Sequence, residues 1–322
     1  MFMHSRRRSS AVTVLAIWVA LLGAARHGAA QVPIEQIVVF GDSLSDTGNG
    51  FALVGSNATP PDYSLDASLI PAAPYARGGH HLTNGATWIE RFARQLGLAG
   101  SVRPALASAA PFATNYAVGT ARAANVGPFS LPVQVAAFLQ DTGGVAPADA
   151  LYVIQVGGND LRDALLAYPL GSDAIIDAAV DSIRTSILAL YAAGARNFLV
   201  WNAPDIGLMP AVRMLPPQFG VVASGLSVQF NTELAAALTG LLALPPLSEI
   251  EIAQFDAFSL IHSIVASPPQ FGLTNVTEAC VMPNDPPFAC QNPDEYLFWD
   301  GVHPTTAVHA IIAEQAAALL GL

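Results

Sequence analysis

The sequence contains no lysine: all 13 Lys-plus-Arg positions are arginine. That absence removes whole chemistries. No lysine Schiff base can form, so a pyridoxal-phosphate enzyme is excluded, and no P-loop lysine is available to a nucleotide phosphate. Cysteine is nearly missing too, with only Cys280 and Cys290, and no HExxH helix is present. Zinc is therefore poorly served. Neither a metal nor a cofactor is expected. Charge is sparse, at 11% of residues against 52% hydrophobic, and it is lopsided: 24 acids leave a formal net charge of −11. Such a surface repels nucleic acid and anionic membranes. The partners to expect are small neutral or apolar molecules, lipids included. The composition is that of a chain that buries a large core, and its 322 residues suit one large α/β unit.

The first thirty residues are of a different kind. His4, Arg6, Arg7 and Arg8 open the chain, an apolar run from Ala11 to Ala25 follows, and Gly28, Ala29 and Ala30 offer a cleavage point before Gln31. This is the pattern of an export signal, and its apolar run is shorter than the ~20 residues a membrane span needs. The protein is read as secreted or periplasmic. Residues 1–30 carry four arginines and no acid, so their removal takes the net charge to −15. In an exported chain, Cys280 and Cys290, close together in a Pro- and Asn-rich loop, are expected to form a disulfide.

Residues 31–322 show no repeat and no dividing linker, and are read as a single domain. Short apolar runs alternate with helical patterns, which predicts a parallel sheet with helices on both faces. The runs are Ile34–Phe40, a weak one at Asn115–Val118, then Leu151–Val156, Phe198–Trp201 and Ile250–Phe255. Helical spacing covers Thr87–Leu96, Ala174–Ala193, Val221–Leu244 and Thr305–Leu320, the last with Pro304 suited to its first position. Two stretches, Gly55–Thr83 and Thr277–Pro293, read as long irregular loops.

Four short blocks sit at the ends of apolar runs. Gly41-Asp42-Ser43-Leu44 follows the first, which puts a serine at the carboxyl edge of the sheet, where open α/β folds bind ligands. Ser, Asp and Gly after a strand also make ordinary turns. Asp300-Gly301-Val302-His303 sets a carboxylate three residues before an imidazole, close enough to hold Nδ1 and fix the tautomer. A lone pair of this kind is also found in plain turns. Gly157-Gly158-Asn159-Asp160 follows the third run; Asn159 can offer an amide N–H, while Asn159 or Asp160 can equally cap a helix. Gly119, after the second run, offers a backbone N–H.

In combination and in this order, the blocks resemble those of the GDSL family of lipolytic enzymes, the SGNH hydrolases. Phe40 before the first block, Asp46-Thr47-Gly48-Asn49 after it, and Tyr296-Leu297-Phe298-Trp299 before the last extend the likeness. The resemblance implies a flavodoxin-like, three-layer α/β/α sandwich with five parallel strands in the order 2-1-3-4-5. It implies Ser43 as nucleophile, His303 as base and Asp300 as its orienting partner. It implies an oxyanion hole built from Ser43, Gly119 and Asn159. The activity implied is cleavage of carboxylic esters, small or lipidic. Acyl transfer, phospholipase action and a noncatalytic binding role on the same scaffold are the alternatives. The G-x-S-x-G elbow of the α/β-hydrolases is absent. His80, His81, His262 and His309 read as structural, Asp46 and Asn49 as bonded within their own turn. Trp201, Pro204 and Ile206 read either as acyl-pocket lining or as core.

Overall fold

The computed structural model describes residues 34–55, 65–76, 79–107, 113–244, 247 and 249–322. The expected export signal lies outside them. Strands β1 (Gln36–Gly41), β2 (Ala150–Gln155), β3 (Asn197–Trp201) and β4 (Glu251–Phe255) lie side by side in that order, all parallel. Val39 is in register with Val153, and Val153 with Leu199.

Side chains alternate across the pleat, and both faces are covered, which is why these strands read as unbroken apolar runs. Val38, Phe40, Tyr152 and Ile154 enter one core; Ile37, Val39, Leu151 and Val153 enter the other. Four helices close the first core: α3 (Leu131–Asp141), α4 (Gly158–Ala167), α5 (Ser172–Ala193) and α7 (Pro217–Leu242). The second is closed by α2 (Trp88–Gln95), α8 (Ala257–Ala266) and α9 (Thr306–Leu319). Two short helices, α1 (Asn49–Val54) and α6 (Pro210–Arg213), lie within connections. The layers are helix, sheet, helix.

The expected strand at Asn115–Val118 does not form. It runs along the free edge of β1 as an isolated parallel bridge between Asn115 and Val39, held by three backbone bonds: Val39 N–H to Thr114 O at 2.9 Å, Tyr116 N–H to Val39 O at 2.7 Å and Val118 N–H to Gly41 O at 3.2 Å. The Asn115 amide turns inward to Ser45 O at 2.8 Å and Thr47 Oγ1 at 3.0 Å, so the segment also buttresses the loop after β1. The sheet thus has four strands where five were expected.

Helix ends follow their caps. Thr87 and Glu90 form a capping box at the start of α2, and α5 ends at Gly194, whose φ of 122° few other residues tolerate. At the last helix Thr305 is the N-cap, its side chain accepting from Val308 N–H, so Pro304 stands outside the helix and not at its first position.

The second expected loop carries structure. β5 (Asn275–Ala279) and β6 (Tyr296–Phe298) form a small parallel pair. Between them Cys280 and Cys290 are joined, with an S–S distance of 2.03 Å, and the Cys290 N–H donates to Cys280 O. The Asp300 block consequently follows β6, and not the fifth apolar run as the sequence suggested. Three residues of strand were too few to stand out.

Candidate active site

Ser43 stands two residues past β1, half-buried in a tight turn. The turn is pinned from beneath. Asp42 Oδ1 accepts from Leu44 N–H at 3.1 Å and from Gln155 Nε2 at 2.9 Å. Gln155 Oε1 accepts from Ser45 Oγ at 2.7 Å, and Ser45 Oγ in turn accepts from Trp88 Nε1 at 3.0 Å. Gln134 clasps the backbone of Gly41 with both ends of its amide, each bond 2.8 Å long. Apart from the local bond to Leu44, these bonds join segments far apart in sequence through buried side chains, so the turn is rigidly placed.

His303 comes from the segment before α9. Its Nε2 lies 2.8 Å from Ser43 Oγ, and its Nδ1 lies 2.8 Å from Asp300 Oδ2. Asp300 is fully buried and accepts four hydrogen bonds. Oδ1 takes the N–H groups of Val302 and His303, at 2.9 and 2.8 Å. Oδ2 takes the His303 ring and the Tyr75 hydroxyl, the latter at 2.9 Å. A chain of three side chains therefore runs from a buried carboxylate through an imidazole to a serine.

Tyr75 carried no signal in the sequence. It lies 225 positions from its partner, in a stretch that read as an irregular loop. The same stretch docks on the Asp300 block: Gly301 N–H donates to Leu69 O at 2.9 Å. A Cβ at Gly301 would collide with the Ser68 carbonyl, so glycine is required there by close approach.

Asn159 sits in the first turn of α4, whose N-cap is Gly157 with no side-chain cap. Neither Asn159 nor Asp160 plays the capping role that was the alternative. Asn159 Nδ2 donates one hydrogen to Ala121 O at 2.9 Å, leaving its second. Asp160 accepts from Ala123 and Ala124 N–H, at 2.8 and 3.0 Å. Block three thus grips the segment after Gly119.

Gly119 differs from expectation. Its N–H is not unobstructed: it donates to Asp46 Oδ2 at 2.8 Å. Its lack of a side chain makes room for Leu82, whose Cδ1 would lie 2.6 Å from a Cβ. Asp46 also accepts from Gly48 and Gly50 N–H, and Asn49 ties Leu106, Asn115 and Ala117 together.

Among the other expected residues, His81 is bonded to Gly85 O and faces Glu90, His80 stacks on Phe51 at 3.7 Å, and His262 Nε2 meets Asp205 at 3.0 Å. Trp201 and Pro204 border a cavity beside the site, whereas Ile206 belongs to the core on the opposite face.

A profile of the GDSL-like Lipase/Acylhydrolase family matches residues 37–316. The chain belongs to that family. The family match and its esterase/lipase relatives support carboxylic ester hydrolase activity. Among relatives, the GDSL esterase/lipase At5g22810 of Arabidopsis thaliana is 25% identical, over 88% of this chain and 89% of its own length. The phosphatidylcholine-sterol acyltransferase of Aeromonas hydrophila is 26% identical, over 89% and 90%. GDSL esterase/lipase APG of A. thaliana is 30% identical over 51% of this chain, which spans about half, 52%, of that relative. No described helix is long and apolar enough to cross a membrane.

Burial around the site has a consequence for stability. Burial pushes Asp42 and Asp160 up to about 6, against hydrogen bonds that pull the other way, and it raises Asp46 as well. Burial pushes His309 down to about 3, with His303, His81 and Arg91 adding repulsion; its Nδ1 accepts from Trp88 N–H, which requires a neutral ring. As pH falls below about 6.5, the unfolded chain protonates His309 while the folded chain does not, so this group removes stability. The raised carboxylates act oppositely: the fold binds their protons near pH 6, the unfolded chain near 3.8, so stability is regained as pH falls through that window. Between pH 6 and 4, the two raised carboxylates together outweigh His309 by less than one proton, so the net effect is a modest gain in stability as pH falls. The urea midpoint is expected to rise from pH 7 to about pH 5. A midpoint falling steadily over that range contradicts the balance.

Proposed function

We propose that this protein hydrolyses carboxylic esters through an acyl-enzyme on Ser43. The observation that carries the reading is the unbroken chain from Asp300 through His303 to Ser43 Oγ, each link 2.8 Å long. His303 Nε2 takes the Ser43 proton as Oγ bonds to the ester carbonyl carbon. The tetrahedral intermediate collapses, and His303 returns the proton to the departing alcohol. Water then enters, gives a proton to the same nitrogen, and releases the acid. Asp300 holds Nδ1–H and stabilises the imidazolium, and Tyr75 fixes the carboxylate that does so.

The developing oxyanion needs donors. The Ser43 N–H has no acceptor among the described residues, and Asn159 has one amide hydrogen to spare. These two form the oxyanion hole of this reading; the Gly119 N–H can join them only by leaving Asp46. Export is part of the reading. It rests on the pattern of residues 1–30 and accords with a disulfide, which persists in oxidising compartments. A second reading, acyl transfer to an alcohol in place of water, is favoured by the full-length likeness to the Aeromonas acyltransferase; it uses the same acyl-enzyme.

The test is a panel of p-nitrophenyl esters beside a phospholipid and an acetylated sugar, with a fluorophosphonate to label the serine. Turnover of none of them, and no label on Ser43, would refute the reading. Adding an acceptor alcohol and measuring new ester against free acid separates transfer from hydrolysis.

Asn159→Ala is expected to lower kcat by about 10²–10³ with KM little changed, since the donor acts when the carbonyl oxygen becomes an oxyanion. The bond to Ala121 O gives a competing role. If Asn159 only tethers that segment, the variant loses about 1 kcal/mol of stability and keeps its turnover. Measuring kcat and Tm on one sample decides between them.

A further inference from the structure

We infer that Tyr75 is a positioning residue that sets the proton balance of the site: its hydroxyl, bonded to the same Asp300 oxygen that holds His303, tempers that carboxylate and keeps the imidazole free to act as a base as pH falls. The inference rests on the ester-hydrolase reading above. It goes further, because it gives a residue outside Ser43, His303 and Asp300 control over when the base is available. The hydroxyl donates to Asp300 Oδ2 at 2.9 Å, and His303 Nδ1 meets the same oxygen at 2.8 Å. Oδ1 is taken by the N–H groups of Val302 and His303. Those two local bonds already orient the carboxylate. What the phenol adds is a dipole aimed at the oxygen that faces the ring.

That dipole has a definite sign of action. A hydrogen bond donated to a carboxylate partly offsets its charge. An oxygen that already accepts from a phenol attracts a neighbouring imidazolium less than an oxygen left to the imidazolium alone. Without the phenol, the Asp300–His303 pair holds its proton to higher pH, and a protonated ring cannot take the proton of Ser43. The other ionisable groups that act on His303 are Asp42, in the turn after β1, and His309 on α9. Behind them stand Asp46, acting on Asp42, and His81 and Arg91, acting on His309; Glu90 faces His81. Tyr75→Phe removes none of these.

The fold holds the phenol in place. Tyr75 is 1% exposed, and its ring meets Trp299 edge-on with 5.7 Å between centroids. Its backbone N–H donates to His81 O at 2.8 Å. Cys280, Val281 and Trp299 pack with it in a small core of their own, so one half of the disulfide backs the ring. The segment that carries Tyr75 is clasped to the Asp300 block elsewhere too. Gly301 N–H donates to Leu69 O at 2.9 Å, and Thr83 Oγ1 donates to Pro304 O at 2.7 Å. The Thr83 bond ends on a backbone carbonyl and not on the carboxylate. Thr83 therefore serves the clasp without the electrostatic role, which makes it the control.

The experiment is the pH profile of kcat/KM, from about pH 5 to about pH 9, for wild type, Tyr75→Phe and Thr83→Val. The substrate is whichever p-nitrophenyl ester of the panel is turned over fastest. Fluorophosphonate titration counts the active sites at each pH, so unfolded molecules do not distort the curve. Tyr75→Phe is expected to move the midpoint of the rising limb up by about half a unit to one unit. On the acid limb kcat/KM then falls about threefold to tenfold, while the alkaline plateau changes less than about threefold. Thr83→Val is expected to lower Tm and leave the midpoint in place. 3-Fluorotyrosine in place of Tyr75, a stronger donor of nearly the same shape, is expected to move the midpoint down, and it decides the question if Tyr75→Phe does not fold. An unmoved midpoint in Tyr75→Phe, an equal shift in Thr83→Val, or an upward shift with fluorotyrosine would overturn the inference while leaving ester hydrolysis standing. If no ester is cleaved and no phosphonate labels Ser43, the hydrolase reading fails first, and this one with it.

Discussion

Ser43→Ala is expected to bring ester hydrolysis down by about 10⁶, to the residual level that binding and oxyanion donors alone provide. Fluorophosphonate labelling should disappear with it. The change is small in structural terms. Ser43 is half-buried, and its hydroxyl meets one side chain, His303 Nε2. Removing it deletes one hydrogen bond at the edge of solvent, worth about 1 kcal/mol. The turn itself does not depend on that hydroxyl, because Asp42, Gln155, Ser45 and Gln134 hold the backbone around it. An inactive variant with a nearly unchanged Tm is therefore the expected result. An alanine variant that retains more than a hundredth of wild-type kcat would remove Ser43 from the chemistry, whatever its distance from His303.

The parts of the site that were legible in the sequence share a physical cause. β1 and β2 are buried on both faces, so they appear as continuous apolar runs. Whatever follows such a strand must lie at the sheet edge, and Ser43 and Asn159 were placed that way. Asp300 and His303 are three residues apart, so their bond is local. What could not be read is nonlocal or masked by chemistry common to cores and loops. Tyr75 reaches Asp300 from 225 positions away. Asn115–Val118 does lie along β1, but its pairing there is an isolated bridge with a few backbone bonds and not a full strand. α8 is apolar over most of its length, and periodicity cannot separate such a run from a strand. Gly119 read as offering an unobstructed backbone N–H. Its missing side chain serves Leu82, and its N–H serves Asp46. A glycine marks close approach without saying what approaches.

Asp300→Asn is expected to lower kcat by about 10⁴ with the fold intact, and the hydrogen bonds around the carboxylate dictate why. Oδ1 accepts two backbone N–H groups, those of Val302 and His303. An asparagine amide placed with its NH₂ at that position would set donors against two fixed donors. The carbonyl oxygen must therefore occupy the Oδ1 site, which directs the NH₂ to the Oδ2 site, facing His303 Nδ1 and the Tyr75 hydroxyl. There it donates to Nδ1, and the tyrosine oxygen can accept its second hydrogen. Every polar group keeps a partner, so stability changes little. The histidine, however, must now carry its proton on Nε2, the nitrogen that faces Ser43. An N–H there cannot accept the serine proton, and no carboxylate remains to stabilise an imidazolium. Alanine at the same position predicts something different. It would orphan two backbone N–H groups and remove the Asp300 acceptor of the Tyr75 hydroxyl, and so cost stability as well as rate. Comparing the two variants by kcat and by Tm tests the arrangement directly. An Asp300→Asn enzyme within tenfold of wild type would show that the Asp300–His303 bond holds the loop and takes no part in proton transfer.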